Sequence, residues 1–598
     1  MSRLSFWPDV PLRSIVWALE LPLALLNGLA LAALAVAWAG GPAPLVVAMA
    51  AVACLGAGAM GTRRARAAQQ PLAGNYVLSR LASLCAVFSF SLPDAVWPRL
   101  AAVAAVAGCL LAEPIARAFA AQAFPYAAGF AGVRTRLSHL PADIIFWANS
   151  AAALALVLAG DQALAAQLGL ALAVAAADLV VLADVAWFAI GRLRFNARLP
   201  KLWAAMGPAF AVHWQAARGS IHQLTMWMDH LKALGKPFFI ITRTRENFAE
   251  VTQAFDLPVL HRVGLDAVED ALSESLKTVF YVNTAILNDH LLRYPHLNHI
   301  QLNHGDSDKI ASYSPVFRAY DKDFVAGQAA VDRFAAAGLA TAPDFFVIVG
   351  RPQVAGVAAS RGPLAGLEAP VALYAPTWTG NTKDSDYTSL RRGPQIVQAL
   401  LDRGCSVVFR PHPYWDKHHA TAAARAAVVA LLARDAAATG RDHVFGARAE
   451  AEWSVFDCFN RSDLMISDVS SVVNDYLYSE KPFVMMAVTA GPDEFADEYP
   501  VARGAYVVDY ATIADPAPPG GQGWPYGPAA PGEAGGPAAA SGRAVPPPGG
   551  QTLAAALDLI WDGDPLAPVR RELKTYYLGD IPRDEYASRF GQEAAKYV

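Results

Sequence analysis

The stretch Ile300-Gln-Leu-Asn-His-Gly-Asp-Ser-Asp-Lys309 joins a short apolar run to a cluster of polar side chains. The run from His299 to Leu302 has the length and composition of a buried β-strand. It leads directly into His304, Gly305, two carboxylates and Lys309. Ligands of open α/β sheets bind at the carboxyl ends of strands. The stretch therefore predicts an α/β fold with a ligand site at His304, and Lys309 is a candidate phosphate-binding residue.

His304 has two interpretations. An imidazole with an ordinary pKa near 6.5 can take a proton from an alcohol at neutral pH, which is the task of a general base. Alternatively, the ring caps the strand end and is satisfied by a neighbouring backbone group. The choice between them depends on the other strand ends of the chain.

Length and composition limit the classes of protein to which the chain can belong. It has 598 residues, 55% of them hydrophobic, and a net charge of −4. The length predicts three or four domains, and the near-balanced charge argues against a nucleic acid partner. Five scattered cysteines show neither a disulfide pattern nor zinc-ligand spacing. No metal site and no cofactor are predicted.

Residues 1–200 predict a transmembrane helical domain of about six spans. Four apolar runs have nearly the length needed to cross the hydrocarbon of a bilayer, and two weaker runs are either spans or re-entrant helices. The four are Ile15–Trp38, Pro44–Met60, Ile144–Ala159 and Leu168–Ile190, and the two are Leu81–Leu92 and Leu100–Ala112.

Basic residues predict the orientation of this domain. They occur in the N-terminal tail, after the second run, before the fifth and after the sixth, whereas the turns 39–44 and 160–162 contain none. The positive-inside rule then places both ends in the cytoplasm. Asp178 and Asp184, within the last run, face either a polar pocket or a partner helix.

Short β-rich runs alternate with amphipathic helical segments beyond residue 200, a pattern that predicts parallel sheets in two Rossmann-like halves. The predicted boundaries are 201–360 for the N-terminal half with His304, 361–565 for the C-terminal half, and 566–598 for C-terminal helices. Residues 514–550 are dense in proline and glycine and predict a flexible surface insertion.

Three predicted strands of the C-terminal half end in polar residues that a core does not require. Val371–Ala375 is followed by Thr377, and Ser406–Phe409 by Arg410-Pro-His412-Pro. Leu464–Ser467 is followed by Asp468-Val-Ser470-Ser471 and opens into a helix.

These residue types suit phosphate chemistry. Unpaired amide groups and the helix dipole favour an anion at a helix start, where the two serines lie, although one of them is also an ordinary N-cap. The prolines around His412 restrict the backbone, so Arg410 and His412 are held in fixed directions. A fixed guanidinium beside an imidazole suits a phosphoryl group.

Taken in order, the motifs resemble the CDP-glycerol glycerophosphotransferases of teichoic acid synthesis, over roughly residues 275–590. The motifs are His304-Gly305, Tyr374-Ala-Pro-Thr-Trp378, Arg410-Pro-His412-Pro413, Ser467-Asp468-x-Ser470-Ser471, Lys481-Pro482 and Arg503-Gly504. The resemblance implies the two-domain GT-B architecture with the donor in the cleft.

The resemblance also implies a reaction and the roles of residues. A polyol phosphate passes from a cytidine diphosphate donor to an acceptor hydroxyl, and CMP is released. His304 matches the general base, and His412 with Arg410 engages the diphosphate or the leaving phosphate. Ser470 and Ser471 hold the diphosphate, and Asp468 orients one of them.

Departures from the family pattern lie beside the expected site. Asn303 and Asp306 flank His304-Gly305 where the family often has Trp and Thr, and Thr379 stands where an arginine often occurs. These departures leave undetermined which polyol phosphate is transferred and which acceptor receives it. Asp306 and Asp308 form either a magnesium site or a solvated acidic turn.

The leading hypothesis is a membrane-integral transferase of the plasma membrane that uses CDP-glycerol or a related CDP-polyol and a lipid-linked acceptor on the cytoplasmic side. One alternative is a GT-B glycosyltransferase that uses a nucleotide sugar. Another is a polymer-export or binding protein with a non-catalytic nucleotide-binding half.

Overall fold

The computed structural model describes residues 21–68, 76–123, 125–131, 133, 142–308, 313–380, 386–415, 419–489, 491–514 and 551–598. Lys309 and residues 515–550 of the predicted insertion lie outside the described residues. The chain divides into two compact units. The first contains Met1–Gly207 and Phe239–Glu274, and the second contains Pro208–Phe238 and Ser275–Val598. The boundaries of the four predicted domains stay predictions.

The helices of the described residues are, in chain order, α1 (Leu21–Trp38), α2 (Ala43–Ala68), α3 (Val77–Phe88), α4 (Val96–Ala123), α5 (Ala142–Ala159), α6 (Leu164–Met206), α7 (His222–Lys232), α8 (Arg245–Ala254), α9 (Leu265–Glu269), α10 (Asp289–Leu292), α11 (Gln328–Ala336), α12 (Gly393–Leu401), α13 (His419–Thr439), α14 (Val455–Arg461), α15 (Ser471–Tyr476), α16 (Pro492–Glu498), α17 (Leu553–Trp561), α18 (Ala567–Leu578) and α19 (Tyr586–Ala594).

The strands are β1 (Ala127–Ala128), β2 (Phe210–Trp214), β3 (Phe238–Thr242), β4 (Val259–His261), β5 (Thr278–Tyr281), β6 (Asn298–Gln301), β7 (Lys322–Val325), β8 (Phe346–Ile348), β9 (Val371–Ala375), β10 (Ser406–Phe409), β11 (Leu464–Ser467), β12 (Phe483–Ala487) and β13 (Tyr506–Asp509).

Within the described ranges, four helices of the first unit are long and apolar enough to cross a membrane. They are α1, Ala43–Gly61 of α2, Val96–Ala120 of α4, and α6. Helix α3 and residues Ile144–Ala159 of α5 are apolar but shorter. The weak run Leu100–Ala112 thus belongs to a helix of full length because its flanking residues join it, whereas the stronger run at Ile144 stays short. The count of six spans stays a prediction.

The distribution of exposed and buried side chains on these helices is the one that a lipid bilayer requires. Large apolar side chains point outward, with Trp38, Trp97 and Trp187 at 74%, 77% and 72% exposure. Small residues face inward, and Ala33 and Ala53 are fully buried. Small side chains let helices approach closely, which favours packing in lipid.

A buried polar network joins four of these helices. The Arg80 guanidinium on α3 donates to both carboxylate oxygens of Glu113 on α4, at 2.9 and 2.6 Å, and to the Ser150 hydroxyl on α5 at 3.0 Å. The Asn149 amide donates to Glu113 and to Asp178 of α6, each at 3.0 Å. Asp178 therefore faces a partner helix, one of the two interpretations that the sequence left open.

The first unit also contains short strands. Strand β4 pairs parallel with β3, so that Thr242 lies opposite His261, and antiparallel with β1. The end of α6 packs beside them, where the Trp203 and Phe239 rings lie 4.6 Å apart.

The second unit contains two parallel sheets. Strands β2, β5, β6, β7 and β8 are neighbours in that order, all parallel. The other sheet has the order β10-β9-β11-β12-β13, also parallel. Most strands are buried along their whole length, as parallel strands covered on both faces must be. These sheets confirm the predicted α/β class. Strands β1, β4, β8, β12 and β13 were not among the runs that the sequence pattern predicted.

The C-terminal helices pack onto the sheet that contains β6. The Phe590 ring of α19 lies 5.1 Å from the Trp227 ring on α7. Gly327 lies so close to α18 that an added Cβ would meet the Tyr577 backbone at 2.5 Å. The end of the chain thus contributes to the half with His304.

We expect Arg80→Met to destabilise the first unit by about 3–5 kcal/mol, because it leaves the Glu113 carboxylate buried without its cation. Thermal unfolding of the detergent-solubilised protein measures this loss. Arg99→Met is the matched control, since its partner Asp161 keeps 18% exposure and can be hydrated. The double variant Arg80→Met/Glu113→Leu should recover most of the stability. Equal losses for the two single variants would contradict the account.

Candidate functional site

The His304 loop begins with a left-handed residue. Asn303 follows β6 and has φ +60, a conformation that asparagine tolerates better than most residues. Its side-chain amide donates to Asp323 at 2.7 Å, and its carbonyl accepts from the Trp227 indole. Burial raises the pKa of Asp323 to about 7. Hydrogen bonds to the side chain and to the carbonyl of Asn303 therefore hold the turn that directs His304.

The hydrogen bond of the His304 ring assigns its tautomer. Nδ1 lies 3.0 Å from the Val282 carbonyl, which can only accept, so Nδ1 bears the proton and Nε2 keeps a lone pair. Desolvation by the surrounding protein, together with the charges of His222 and Arg351, lowers the pKa of His304 to about 4. More than a third of the residue nevertheless remains accessible. The ring is a neutral, reachable proton acceptor at physiological pH.

Gly305 brings the first predicted motif against the last. A Cβ on this glycine would lie 3.1 Å from the Ser471 hydroxyl and 3.2 Å from its Cβ. The His304 loop at the end of β6 and the helix start after β11 are thus in contact. Only a residue without a side chain fits between them without displacement.

Arg351 joins the same two segments. Its guanidinium binds Asp475 of α15 at 2.9 and 3.2 Å and donates to the His304 carbonyl at 3.4 Å. The Arg351 side chain is 5% exposed, and its partner's is 8% exposed. This buried cation fixes the loop of the expected base to the helix that begins at Ser471. Sequence analysis missed it, although a polar residue soon after strand β8 was an available signal.

Ser470 is the N-cap residue of α15, but its side chain makes no capping hydrogen bond. The ordinary N-cap interpretation therefore does not account for its hydroxyl. Ser471 occupies the first position of the helix, beside Gly305.

Arg410 is bound to backbone carbonyls. One terminal nitrogen donates to Ala449 and, at 2.8 Å, to Trp453. The guanidinium is half-buried and its orientation is fixed. The guanidinium is thus a positioned charge with part of its donor capacity already used.

His412 carries its proton on the opposite nitrogen from His304. The Tyr414 amide donates to His412 Nδ1 at 3.2 Å, so in the neutral ring the proton is on Nε2. The ring stacks on Trp378 at 5.9 Å and lies 5.2 Å from the Tyr414 ring. His412 is therefore oriented as a hydrogen-bond donor, whereas His304 is oriented as an acceptor.

The segment 220–222 connects the surroundings of the two histidines. The Ser220 and Tyr414 hydroxyls lie 3.2 Å apart. His222 is close enough to both His304 and Arg410 for their charges to interact, and burial and Arg410 lower the pKa of His222. His222, which sequence analysis did not assign to the site, lies between the two motifs.

Asp468 and Thr377 hold the loop after β9. The buried Asp468 carboxylate accepts from the Thr377 amide at 2.8 Å and from the Ser389 amide at 3.2 Å. The Thr377 carbonyl in turn accepts from the Thr388 hydroxyl at 2.6 Å. Asp468 thus bridges two strand ends through backbone amides, an arrangement that the predicted contact with a serine did not include.

The acidic turn after Gly305 is paired with an arginine. Arg333 binds Asp306 and, at 2.9 Å, Asp308, and the Tyr577 hydroxyl donates to Asp308 at 2.8 Å. Burial raises the pKa of Asp306. These carboxylates belong to an internal ion-pair network rather than to a solvated turn. The described residues contain no group of three or more His, Cys, Asp or Glu that could hold a metal ion.

Comparisons with known proteins identify one segment. Residues 359–517 match the family described as CDP-Glycerol:Poly(glycerophosphate) glycerophosphotransferase. Comparison with curated proteins gives no match. The matched segment contains the motifs of Thr377, Arg410, His412 and Ser470-Ser471, whereas His304 lies outside it.

Solved structures give distant similarities. The wall teichoic acid polymerase TagF is 11% identical with a TM-score of 0.36, covering 68% of this chain and 94% of that one. A glycosyltransferase from Rickettsia africae is 10% identical, with a TM-score of 0.36 and coverages of 65% and 98%. The S. aureus MnaA-UDP structure is 11% identical, with a TM-score of 0.39 and coverages of 65% and 96%.

The family recognised from the motifs is confirmed on residues 359–517, which lie in the second unit with the candidate site. The match over this segment supports a CDP-glycerol glycerophosphotransferase-like enzyme.

Proposed function

We propose that the protein transfers glycerol phosphate, or another polyol phosphate, from a CDP-polyol to a hydroxyl of a lipid-linked cell-envelope acceptor and releases CMP. One observation carries the proposal. His304, a neutral imidazole with its lone pair on Nε2, adjoins Ser471 of the family-matched segment through Gly305. A proton acceptor then lies beside the segment that is expected to bind the donor.

The chemistry follows from the two tautomers. His304 Nε2 takes the proton of the acceptor hydroxyl as its oxygen bonds to the phosphorus of the polyol phosphate. The bond from that phosphorus to the CMP oxygen breaks, and CMP leaves with the electron pair. The Nε2–H of His412 donates to a phosphate oxygen, and the fixed Arg410 charge stabilises the leaving group.

The remaining predicted residues bind or position the donor. The hydroxyls of Ser470 and Ser471 receive the diphosphate at the start of α15, where the unpaired amides favour an anion. Asp468 holds the Thr377 loop through the Thr377 and Ser389 amides. Lys309 stays a candidate phosphate ligand.

The membrane part of the proposal rests on the four long apolar helices and on the basic residues that flank the apolar runs. Six spans in the plasma membrane with both ends cytoplasmic place residues 201–565 on the side where nucleotide-activated donors are made. The same proposal includes a GT-B architecture whose two halves meet at about residue 360. It also includes the lipid-linked acceptor.

Replacement of His304 tests the reaction. Membranes containing the full chain should release CMP from CDP-glycerol or CDP-ribitol, and His304→Gln should lower kcat by about 10²–10⁴, since it removes the general base. His296→Gln, an exposed histidine of the same unit, is the matched control and should retain activity. Turnover of a nucleotide sugar alone would favour the glycosyltransferase alternative. Nucleotide binding without turnover would favour the non-catalytic one.

The pH dependence of the reaction follows from His304. Because its pKa is lowered to about 4, the base stays unprotonated as the pH falls through 6.5, and kcat/KM should decline only near pH 4. The unfolded ring binds its proton near pH 6.5, so this group also lowers stability progressively between pH 6.5 and 4. Circular dichroism at each pH separates unfolding from inactivation.

The same profile for Asp323→Asn removes the contribution of a carboxyl whose pKa is about 7. An acid limb at pH 6.5 in both proteins would contradict the assignment of His304 as a desolvated base.

The conformation of Asn303 gives a further prediction. Asn303→Gly should retain kcat within about tenfold, because glycine adopts φ +60 without strain. Asn303→Val should lower kcat by about 10²-fold with little change in KM for the donor, since a displaced base misaligns the reacting atoms. Steady-state kinetics of folded protein measures both. Activity of the valine variant equal to wild type would show that the turn does not position His304.

A further inference from the structure

A cluster of basic side chains in the first unit has no role in the chemistry described above. Strands β3 and β4 pair at Thr242 and His261, so the residues that follow them, Arg243 and Arg262, are neighbours. The Arg262 amide donates to the Thr242 carbonyl at 2.9 Å. Arg245 begins α8 directly after β3. The ends of two parallel strands thus bring three arginines together.

Helix α6 adds a fourth arginine. Tyr126, whose carbonyl accepts from the Arg262 guanidinium at 3.0 Å, lies against Gly191, where a Cβ would be 3.3 Å from its hydroxyl. Arg192 is the next residue of α6, and its charge acts on both His261 and Arg262. We call Arg192, Arg243, Arg245, His261 and Arg262 the basic cluster.

The arginines of the basic cluster are anchored by neutral oxygens. Arg243 donates to the Val263 carbonyl at 2.9 Å and Arg245 to the Ala120 carbonyl at 2.7 Å. Arg262 donates to the Tyr126 and His261 carbonyls and to the Asn196 amide oxygen. These bonds fix the directions of the guanidinium groups.

His261 supplies an independent observation that points to a ligand. The residue is 4% exposed, and neither ring nitrogen has a hydrogen-bond partner among the described residues. The Thr242 carbonyl favours a ring proton, yet it does not reach hydrogen-bonding geometry. Burial and the charges of Arg245, Arg262 and Arg192 lower the pKa of His261 to about 3. A buried imidazole without a partner is costly unless something binds to it.

Two carboxylates near the basic cluster lie at the surface. Glu246 and Asp270 are exposed, and Asp270 accepts a bond of 3.3 Å from Asn196. Burial and the charge of Arg192 still lower the pKa of Arg262 to about 10. An anion that reached the basic cluster would therefore relieve repulsion between its members.

The position of the cluster along α6 relates it to the bilayer. Residues 164–190 of α6 are predominantly apolar and, at 1.5 Å per residue, extend about 40 Å, enough to cross about 30 Å of hydrocarbon. Arg192 follows that stretch directly. The basic cluster thus lies where the helix leaves the apolar layer, at the level of lipid headgroups.

We propose that the basic cluster binds the phosphate or diphosphate headgroup of a lipid anchor and so holds the lipid-linked acceptor of the transfer reaction. The inference rests on the proposed function for the identity of the acceptor. Arginine forks match phosphate oxygens in pairs, and the unpartnered imidazole supplies one more donor when it binds an oxyanion. The basic cluster belongs to the first unit, whereas the donor motifs belong to the second.

Binding without nucleotide tests the proposal. The full chain in nanodiscs is titrated with radiolabelled farnesyl diphosphate, with inorganic pyrophosphate and with farnesol. We expect farnesyl diphosphate to bind at least tenfold more tightly than either of the others. Arg245→Gln and Arg262→Gln should weaken that binding by tenfold or more, and Arg245→Lys should restore part of it. Arg194→Gln removes an exposed arginine of α6 and is the matched control, expected to bind as wild type does.

Three results would overturn the proposal. The first is farnesyl diphosphate binding that is unchanged in both Arg245→Gln and Arg262→Gln. The second is an equal loss of binding in Arg194→Gln. The third is pyrophosphate bound as tightly as farnesyl diphosphate, which would indicate a site for a soluble phosphate. Thermal unfolding of each nanodisc sample shows that a loss of binding is not a loss of fold. The binding assay contains no CDP-polyol donor. Its result can therefore be interpreted even if the protein does not catalyse the proposed transfer.

Discussion

The hydrogen bond between His304 Nδ1 and the Val282 carbonyl determines how the candidate site can act. Val282 directly follows β5, the strand that pairs with β6, so the acceptor and the ring come from the ends of adjacent strands. Because a carbonyl cannot donate, the bond leaves the lone pair on Nε2. His412 has the opposite arrangement, since a backbone amide donates to its Nδ1. The backbone therefore leaves His304 as a hydrogen-bond acceptor and His412 as a hydrogen-bond donor at Nε2.

Contacts between segments far apart in sequence keep the His304 loop in place. Arg351 binds the His304 carbonyl and Asp475, and Gly305 permits contact with Ser471. Asp323 and Trp227 hold Asn303 from the other side. Several of these groups are charged and buried, so each depends on its partner for stability. The loop is therefore rigid for the same reason that its residues are costly to replace.

The sequence predicts well where the strands of the candidate site end. It predicts poorly which residues contact the side chains at those strand ends. The runs Val371–Ala375, Ser406–Phe409 and Leu464–Ser467 form strands with those bounds, because continuous β-branched and apolar residues leave no other buried element of that length. Strands β4 and β8 have three residues each, too few for a periodic signal. Arg351 and His222 become site residues only through contacts that no local pattern encodes. Asp468 illustrates the same limit, since its position was predicted and its backbone partners were not.

The lowered pKa of His304 also constrains the order of events. An alcohol is far less acidic than an imidazolium whose pKa is about 4, so full proton transfer to the ring before bond formation would be strongly unfavourable. The alkoxide is then not a separate intermediate. In the proposed reaction, the proton moves to Nε2 as the new P–O bond forms, when the attacking oxygen becomes strongly acidic. This late transfer fits the loose transition state of phosphoryl transfer, in which little nucleophilic assistance is needed early and stabilisation of the phosphate charge matters most. The fixed Arg410 and the serine hydroxyls at the start of α15 are the groups that can provide it.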